Sequence, residues 1–147
     1  MQLVETEVGN SKTIVMVWAK YLDEGRGDMA FLRRFFSEVN AIIVDVDVTR
    51  DLMDSTLQDI NSEIIQVVNT METLKPQVYV FARTSKSLSK ETQKTGLSKI
   101  DQICAANNWK RFSIEENSQE TDKIKVVAND LYNKGINPRK VNHGTYS

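Results

Sequence analysis

The sequence predicts an α/β fold with three layers, αβα, built on a mostly parallel sheet of about five strands with an antiparallel N-terminal edge hairpin. Apolar, β-branched runs typical of strands alternate with amphipathic stretches of helical period. That alternation is typical of a parallel sheet covered by helices. Two further β-rich runs flank the turn cluster Gly9-Asn10-Ser11, and this arrangement predicts the hairpin.

Each element follows from its local pattern. Residues 41–48 form the clearest strand: the first half is continuously apolar, as in a strand covered on both faces, and the second half alternates. Gly135 and Pro138 stop the last helix. In chain order the sequence predicts strands at 2–8 and 12–18, a short helix at 29–36, the strand at 41–48 and a helix at 51–71. It then predicts a strand at 77–82, a polar loop or helix entry at 83–94, a helix at 96–107, a strand at 109–114 and a helix at 122–133.

Length and composition predict one globular domain. The 147 residues fit a single domain over residues 1–136, with a polar C-terminal tail at residues 137–147. The net charge of −1 disfavours a general nucleic-acid binder. The single cysteine, Cys104, forms no internal disulfide, and no apolar run reaches the roughly 18 residues of a membrane span. A cytoplasmic protein without a membrane span is therefore expected.

Several strings resemble the Ras superfamily of small GTPases, in the same order along the chain. The tripeptide Asp47-Val48-Thr49 stands where that family often has the same residues. Trp18 ends a hairpin that looks like the one before the family's second switch segment. The similar stretches are residues 2–18, 32–44, 78–85, 103–114 and 126–135. The resemblance implies a GTPase-like sheet running from the family's second strand to its last helix.

The motifs with which that family binds nucleotide are missing or altered. No Gly-x-x-x-x-Gly-Lys-Ser/Thr loop occurs in the sequence, and this loop supplies the N–H groups and the lysine that hold phosphates. Ala19 and Leu22 stand where the family has a magnesium-supporting aspartate and a glycine. The base-reading Asn-Lys-x-Asp motif falls on Ala82-Arg83-Thr84-Ser85. Ser85 therefore replaces the aspartate whose charge-assisted bonds select guanine.

The resemblance and these losses together imply a pseudo-GTPase-like scaffold, or a truncated relative, that binds another protein subunit in a larger assembly. No catalytic residue, metal ion or cofactor is expected in such a module. The contact is expected at the edge hairpin and at the short helix that carries Phe31, Phe35 and Phe36. Exposed aromatic side chains mark interfaces, so surplus rings on so short a helix predict a partner surface, with burial of the same rings in the core as the alternative interpretation.

An alternative function comes from a second, weaker resemblance, to the catalytic domain of serine recombinases. In that family an arginine and a nucleophilic serine follow the first strand, as Arg83 and Ser85 follow a strand here. Arg50 falls in a segment similar to a later part of that family, so the match requires a circular permutation. This alternative implies DNA binding or strand transfer by Ser85, whereas a polar loop after a strand is the competing interpretation.

Two charged groups are further candidates. Asp45 and Asp47 lie on one face at the carboxyl end of a strand, where paired carboxylates hold magnesium in some α/β proteins. A solvated strand end is the alternative interpretation. A locally basic stretch is a candidate surface for a phosphate backbone or an acidic partner, with a solvated helix face as its alternative. Its residues are Arg83, Lys86, Lys90, Lys94, Lys99, Lys110 and Arg111.

Overall fold

A computed structural model of the chain describes residues 2–9, 11–17, 33–34, 36–48, 64–115 and 117–136. It confirms the mixed α/β class and the hairpin. The elements in chain order are β1 (Gln2–Val8), β2 (Ser11–Val17), β3 (Ala41–Asp47), α1 (Gln66–Asn69), β4 (Gln77–Thr84), α2 (Lys90–Asn107), β5 (Lys110–Glu115) and α3 (Glu120–Asn133).

Several predicted features lie outside the described residues, and they stay predictions. They are Ala19, Leu22, Phe31, Phe35, Arg50, most of the helix expected at residues 51–71, and the tail at residues 137–147.

The strands form two sheets within the described part of the chain. β3, β4 and β5 form a parallel sheet in that order, with Ala41 beside Gln77 and Tyr79 beside Lys110. β1 and β2 form a separate antiparallel hairpin, and Gly9 turns it with a φ of 62°. Glycine adopts this left-handed conformation at low cost. The parallel sheet is thus confirmed with three strands, and the single five-stranded sheet is not confirmed.

The central strand β4 divides the core into two clusters. Alternate side chains of a strand point to opposite faces. Val80 and Ala82 therefore pack with Ile100 of α2 and Val67 of α1 on one face. Tyr79 and Phe81 pack on the other face with Val127 of α3. Burial of β4 on both faces is the physical reason for its continuous apolar run.

Two predicted helix boundaries are wrong, each for a local reason. The helix expected at residues 96–107 begins earlier, at Lys90, within the stretch that was expected to form a polar loop or the entry to a helix. Ser89 caps this helix, because its hydroxyl accepts a hydrogen bond from the Thr92 N–H at 3.2 Å. The helix expected to reach Met71 ends at Asn69 instead, where Thr70 donates its hydroxyl to the Val67 carbonyl at 2.7 Å.

Phe36 belongs to the core rather than to an accessible surface. Only 6% of its surface is exposed, and it packs in the cluster of α1 and α2. A partner surface built from the rings of the short helix therefore cannot use Phe36 in this conformation. Phe31 and Phe35, the other two rings of that hypothesis, lie outside the described residues.

Truncation of a buried residue of α2 should cost more stability than truncation of a half-buried residue on the same helix. Ile100 is buried beneath β4, whereas Ile103 is only partly buried. Ile100→Ala should lower the free energy of unfolding by about 2–5 kcal/mol, because the removed atoms leave a cavity. Urea denaturation of Ile100→Ala and of the control Ile103→Ala would measure both losses. Equal losses would contradict this description of the core.

Candidate functional site

Four of the predicted site residues that the structure describes lie together at the carboxyl end of the parallel sheet: Asp45, Asp47, Arg83 and Ser85. Asp45 and Asp47 lie at the end of β3, and Arg83 lies beside Asp47 near the end of β4. Ser85 follows β4 directly, and Glu115 ends β5. Ligands bind at this end of the sheet in open α/β proteins, so it is the candidate site.

The centre of the site is a buried lysine from the first turn of α3. Lys123 is 1% exposed, and its Nζ donates to Asp45 Oδ2 at 2.5 Å. The same ammonium lies 2.5 Å from Oε1 of Glu120. The two carboxylates are largely exposed, with side-chain exposures of 48% for Asp45 and 72% for Glu120. An ammonium removed from water needs such partners, because an unpaired buried charge is costly.

Lys123 was not predicted as a site residue, although the sequence contains two signals for it. Glu120 stands three residues earlier, which is the spacing of an ion pair along one helix face. Val127 stands four residues later, so Lys123 falls on the apolar stripe that covers the sheet. A lysine in such a stripe indicates a buried cation, but its partner on β3 is 78 residues away in the sequence.

One carboxylate of the predicted magnesium-binding pair is bonded to a cation of the chain itself. Asp45 is bonded to the ammonium of Lys123. Among the residues that the structure describes, no group of three or more His, Cys, Asp or Glu side chains is placed to hold a metal ion. Asp45 therefore acts here as the counter-ion of a buried cation.

Ser85 stabilises the turn between β4 and α2. Only 6% of its surface is exposed, and its Oγ lies 2.8 Å from the Ser87 Oγ. The same Oγ accepts a hydrogen bond from the Ser87 N–H at 3.2 Å, and the Ser85 carbonyl accepts one from Gln93 Nε2 at 2.6 Å. A nucleophilic serine needs an accessible hydroxyl beside a general base. In the described residues, the hydroxyl of Ser85 instead forms hydrogen bonds with Ser87 inside the turn.

Ala82 and Arg83, which precede Ser85 in the sequence, also have structural contacts. Ala82 is fully buried between the sheet and α2. Arg83 donates from Nη1 to the backbone carbonyl of Glu115 at 3.2 Å, which links the ends of β4 and β5.

The basic stretch does not form one surface. Lys110 and Arg111 are neighbours on β5, so their side chains point to opposite faces of the sheet. Lys110 bonds to Asp130 at 2.8 Å on the α3 side, and Arg111 bonds to Asp101 of α2 at 2.6 Å on the other side. Lys86, Lys90 and Lys94 are exposed at the start of α2. The sheet thus separates charges that the sequence places together.

A second charged cluster joins α3 to the opposite end of the sheet. Asp130 accepts hydrogen bonds from Lys110 and from the Tyr79 hydroxyl at 2.5 Å, and it lies 3.1 Å from the Nζ of Lys134. Burial would raise the pKa of Asp130, but the hydrogen bonds from Lys110, Tyr79 and Lys134 outweigh it and lower the pKa to about 2. Burial and the bond to this carboxylate raise the pKa of Tyr79.

Cys104 is a core residue. It is buried in the α2 cluster, and this burial raises the pKa of its thiol to about 11. A thiol with a raised pKa forms little thiolate at neutral pH, so Cys104 packs as a small apolar side chain.

No protein-family model matches this chain, and a search of curated proteins finds no match either. Within the described residues, none of the helices combines the length and the apolar character that crossing a membrane requires.

The pair of Asp45 and Lys123 should show energetic coupling. Asp45→Asn should lower the free energy of unfolding by about 1–2 kcal/mol, because the buried ammonium keeps only Glu120. The same substitution should cost less than about 0.5 kcal/mol in a Lys123→Met background, where no buried charge is left. A double-mutant cycle by urea denaturation measures both values. Equal costs in the two backgrounds would show that the ion pair contributes nothing.

Stability should fall at acid pH because of Asp130. Its pKa is lower in the folded state than in the unfolded chain, so its carboxylate contributes stability above the ordinary pKa of about 4. That contribution, about 2 kcal/mol, should be lost as the pH falls from about 5 to about 2. Asp130→Asn should remove this part of the pH dependence in denaturation at several pH values. Tyr79→Phe should retain most of it, since Lys110 and Lys134 remain.

Proposed function

We propose that this chain is a non-catalytic protein-interaction module, a pseudo-GTPase-like scaffold that works within a larger assembly. The observation that carries the proposal is the buried ammonium of Lys123 between Asp45 and Glu120. At the carboxyl end of the sheet, where ligands bind in this class of fold, the charged groups of these three residues are bonded to one another. Such an arrangement favours a structural role for the carboxyl end of the sheet over a catalytic role.

The neighbouring polar groups support the same proposal. The hydroxyl of Ser85 and the guanidinium of Arg83 both stabilise connections between elements of the sheet. In this proposal, the partner protein binds to surfaces away from the carboxyl end of the sheet. Three large hydrophobic side chains are exposed on strands and helices of the described part: Ile43 on β3, and Val126 and Tyr132 on α3. Surfaces that bind other proteins contain exposed apolar side chains, so these residues are candidate contacts of the proposed module.

The proposal extends to the architecture and to the compartment. In a three-layer arrangement with a sheet of about five strands, the hairpin would lie at the edge of the sheet. Support comes from the helices on both faces of β4 and from the contacts between β1 and α3.

A cytoplasmic location fits the single, buried and unpaired cysteine. The proposed module uses no cofactor.

Thermal melting with nucleotides tests the non-catalytic part of the proposal. A ligand at about a hundred times its dissociation constant stabilises the folded state by roughly 2.7 kcal/mol, which raises the melting temperature measurably. We expect no rise with GTP, GDP or ATP in the presence of magnesium. A rise specific for one nucleotide would overturn the proposal. Asp45→Asn would then show whether that nucleotide binds at the carboxyl end of the sheet.

A further inference from the structure

A groove lies where α3 passes over the edge strand β5. Its volume is about 360 Å³. Phe112 of β5 and Val126 of α3 supply its apolar lining. The charged residues Lys110, Lys125 and Asp130, which we call its rim, line it as well, together with Asn129 and Asn133. Neither Asp45 nor Lys123 lines the groove, although Lys125 and Val126 closely follow Lys123 on α3.

The backbone of β5 has an open side next to this groove. β5 ends the order β3-β4-β5, so within the described residues it pairs with β4 alone. The other edge of β5 presents backbone N–H and C=O groups that can pair with an added strand. Peptides bind to many domains by adding a strand to such an edge, with alternate side chains in an adjacent groove.

The apolar surface of the groove fits aliphatic side chains of a bound strand. Phe112 is partly buried and stacks on Phe81, with 5.3 Å between the ring centroids. The rigid ring therefore offers a preorganised surface rather than a mobile side chain. Val126 is 40% exposed on the opposite wall. An added strand would cover both residues and remove their apolar area from water.

The charge at the rim indicates acidic side chains in the bound segment. The carboxylate of Asp130 is already shared by Lys110, Lys134 and Tyr79. Lys125 is exposed and forms no ion pair with the described residues. Arg111, the next basic residue, points to the other face of the sheet and bonds to Asp101. The groove therefore has an excess of positive charge on the α3 side.

We propose that this groove binds an extended peptide segment of another protein, in which aliphatic residues are flanked by acidic residues. The segment adds to the outer edge of β5, places its aliphatic side chains on Phe112 and Val126, and directs its carboxylates toward Lys125 and Lys110. This inference rests on the proposed function as an interaction module and names the chemistry of its partner.

Two other occupants fit less well. The chain's own residues 137–147 include Arg139 and Lys140 and contain no aspartate or glutamate, so their charge does not complement the rim. A second copy that pairs β5 with β5 would bring two positive rims together around the same sheet edge. Dimer formation that is lost on Val126→Glu would nevertheless assign the groove to a second copy and overturn the proposal.

Two synthetic peptides test the proposal directly. The probe Glu-Thr-Val-Thr-Val-Thr-Glu places both valines and both glutamates on one face of a strand, and the control replaces each glutamate by lysine. Binding is measured by fluorescence polarisation of labelled peptide. Hydrogen exchange of the amides of residues 110–115 locates the bound strand. We expect the acidic probe to bind and to slow exchange in β5. The basic control should bind at least about tenfold more weakly.

Matched variants of the full chain test the residues. Lys125→Glu should weaken binding of the acidic probe about tenfold, which corresponds to about 1.4 kcal/mol. Lys94→Glu makes the same charge change on the exposed face of α2 and should leave binding unchanged. Equal losses in the two variants, or equal binding of both peptides, would overturn the inference.

The residues at which hydrogen exchange slows distinguish a failure of this inference from a failure of the proposed function. Slowed exchange in β3 instead of β5 would place the partner at the other edge of the sheet, and the inference would then fail while the interaction module stands. Failure of the acidic probe to bind at roughly 1 mM would also overturn the inference alone. A nucleotide-specific rise in melting temperature would remove the proposed function itself.

Discussion

The burial of β4 on both faces is the constraint on which the rest of this structure depends. Its side chains from Val78 to Ala82 are covered by α1 and α2 on one face and by α3 on the other. Water cannot bond the backbone of such a strand, so its N–H and C=O groups must pair with neighbours on both sides. β3 and β5 provide this pairing. The helices and flanking strands are thus arranged around one strand.

Polar contacts then fix how α3 lies across the sheet. Lys123 holds the first turn of the helix to β3 through Asp45. Asp130 holds its later turns to β4 through Tyr79 and to β5 through Lys110. One helix is therefore bonded to all three strands, at both ends of the sheet. At the carboxyl end of the sheet, these contacts use the charges of Asp45 and Lys123.

The candidate site was predictable in part. The i, i+2 spacing of Asp45 and Asp47 placed both on one face of a strand, since the pleat alternates side chains with a period of two. Ser85 was correctly located after a strand, whereas Arg83 lies within β4, and the burial and bonds of both residues were not predictable. Gln93 and Ser87 bond to Ser85 only because α2 starts earlier than the polar composition of residues 83–94 suggested. A single capping serine decided that start.

The sequence by itself determined the α/β class, the hairpin at Gly9 and the strands at the centre of the sheet. These features follow from residues close together in the chain, whose spacing sets the period of apolar side chains. Tertiary structure alone decided that Lys123 meets Asp45, that Tyr79 meets Asp130, and that Lys110 and Arg111 separate across the sheet. The partners in the first two pairs are 78 and 51 residues apart. Their meeting depends on which elements become neighbours, and local periodicity contains no information about that choice.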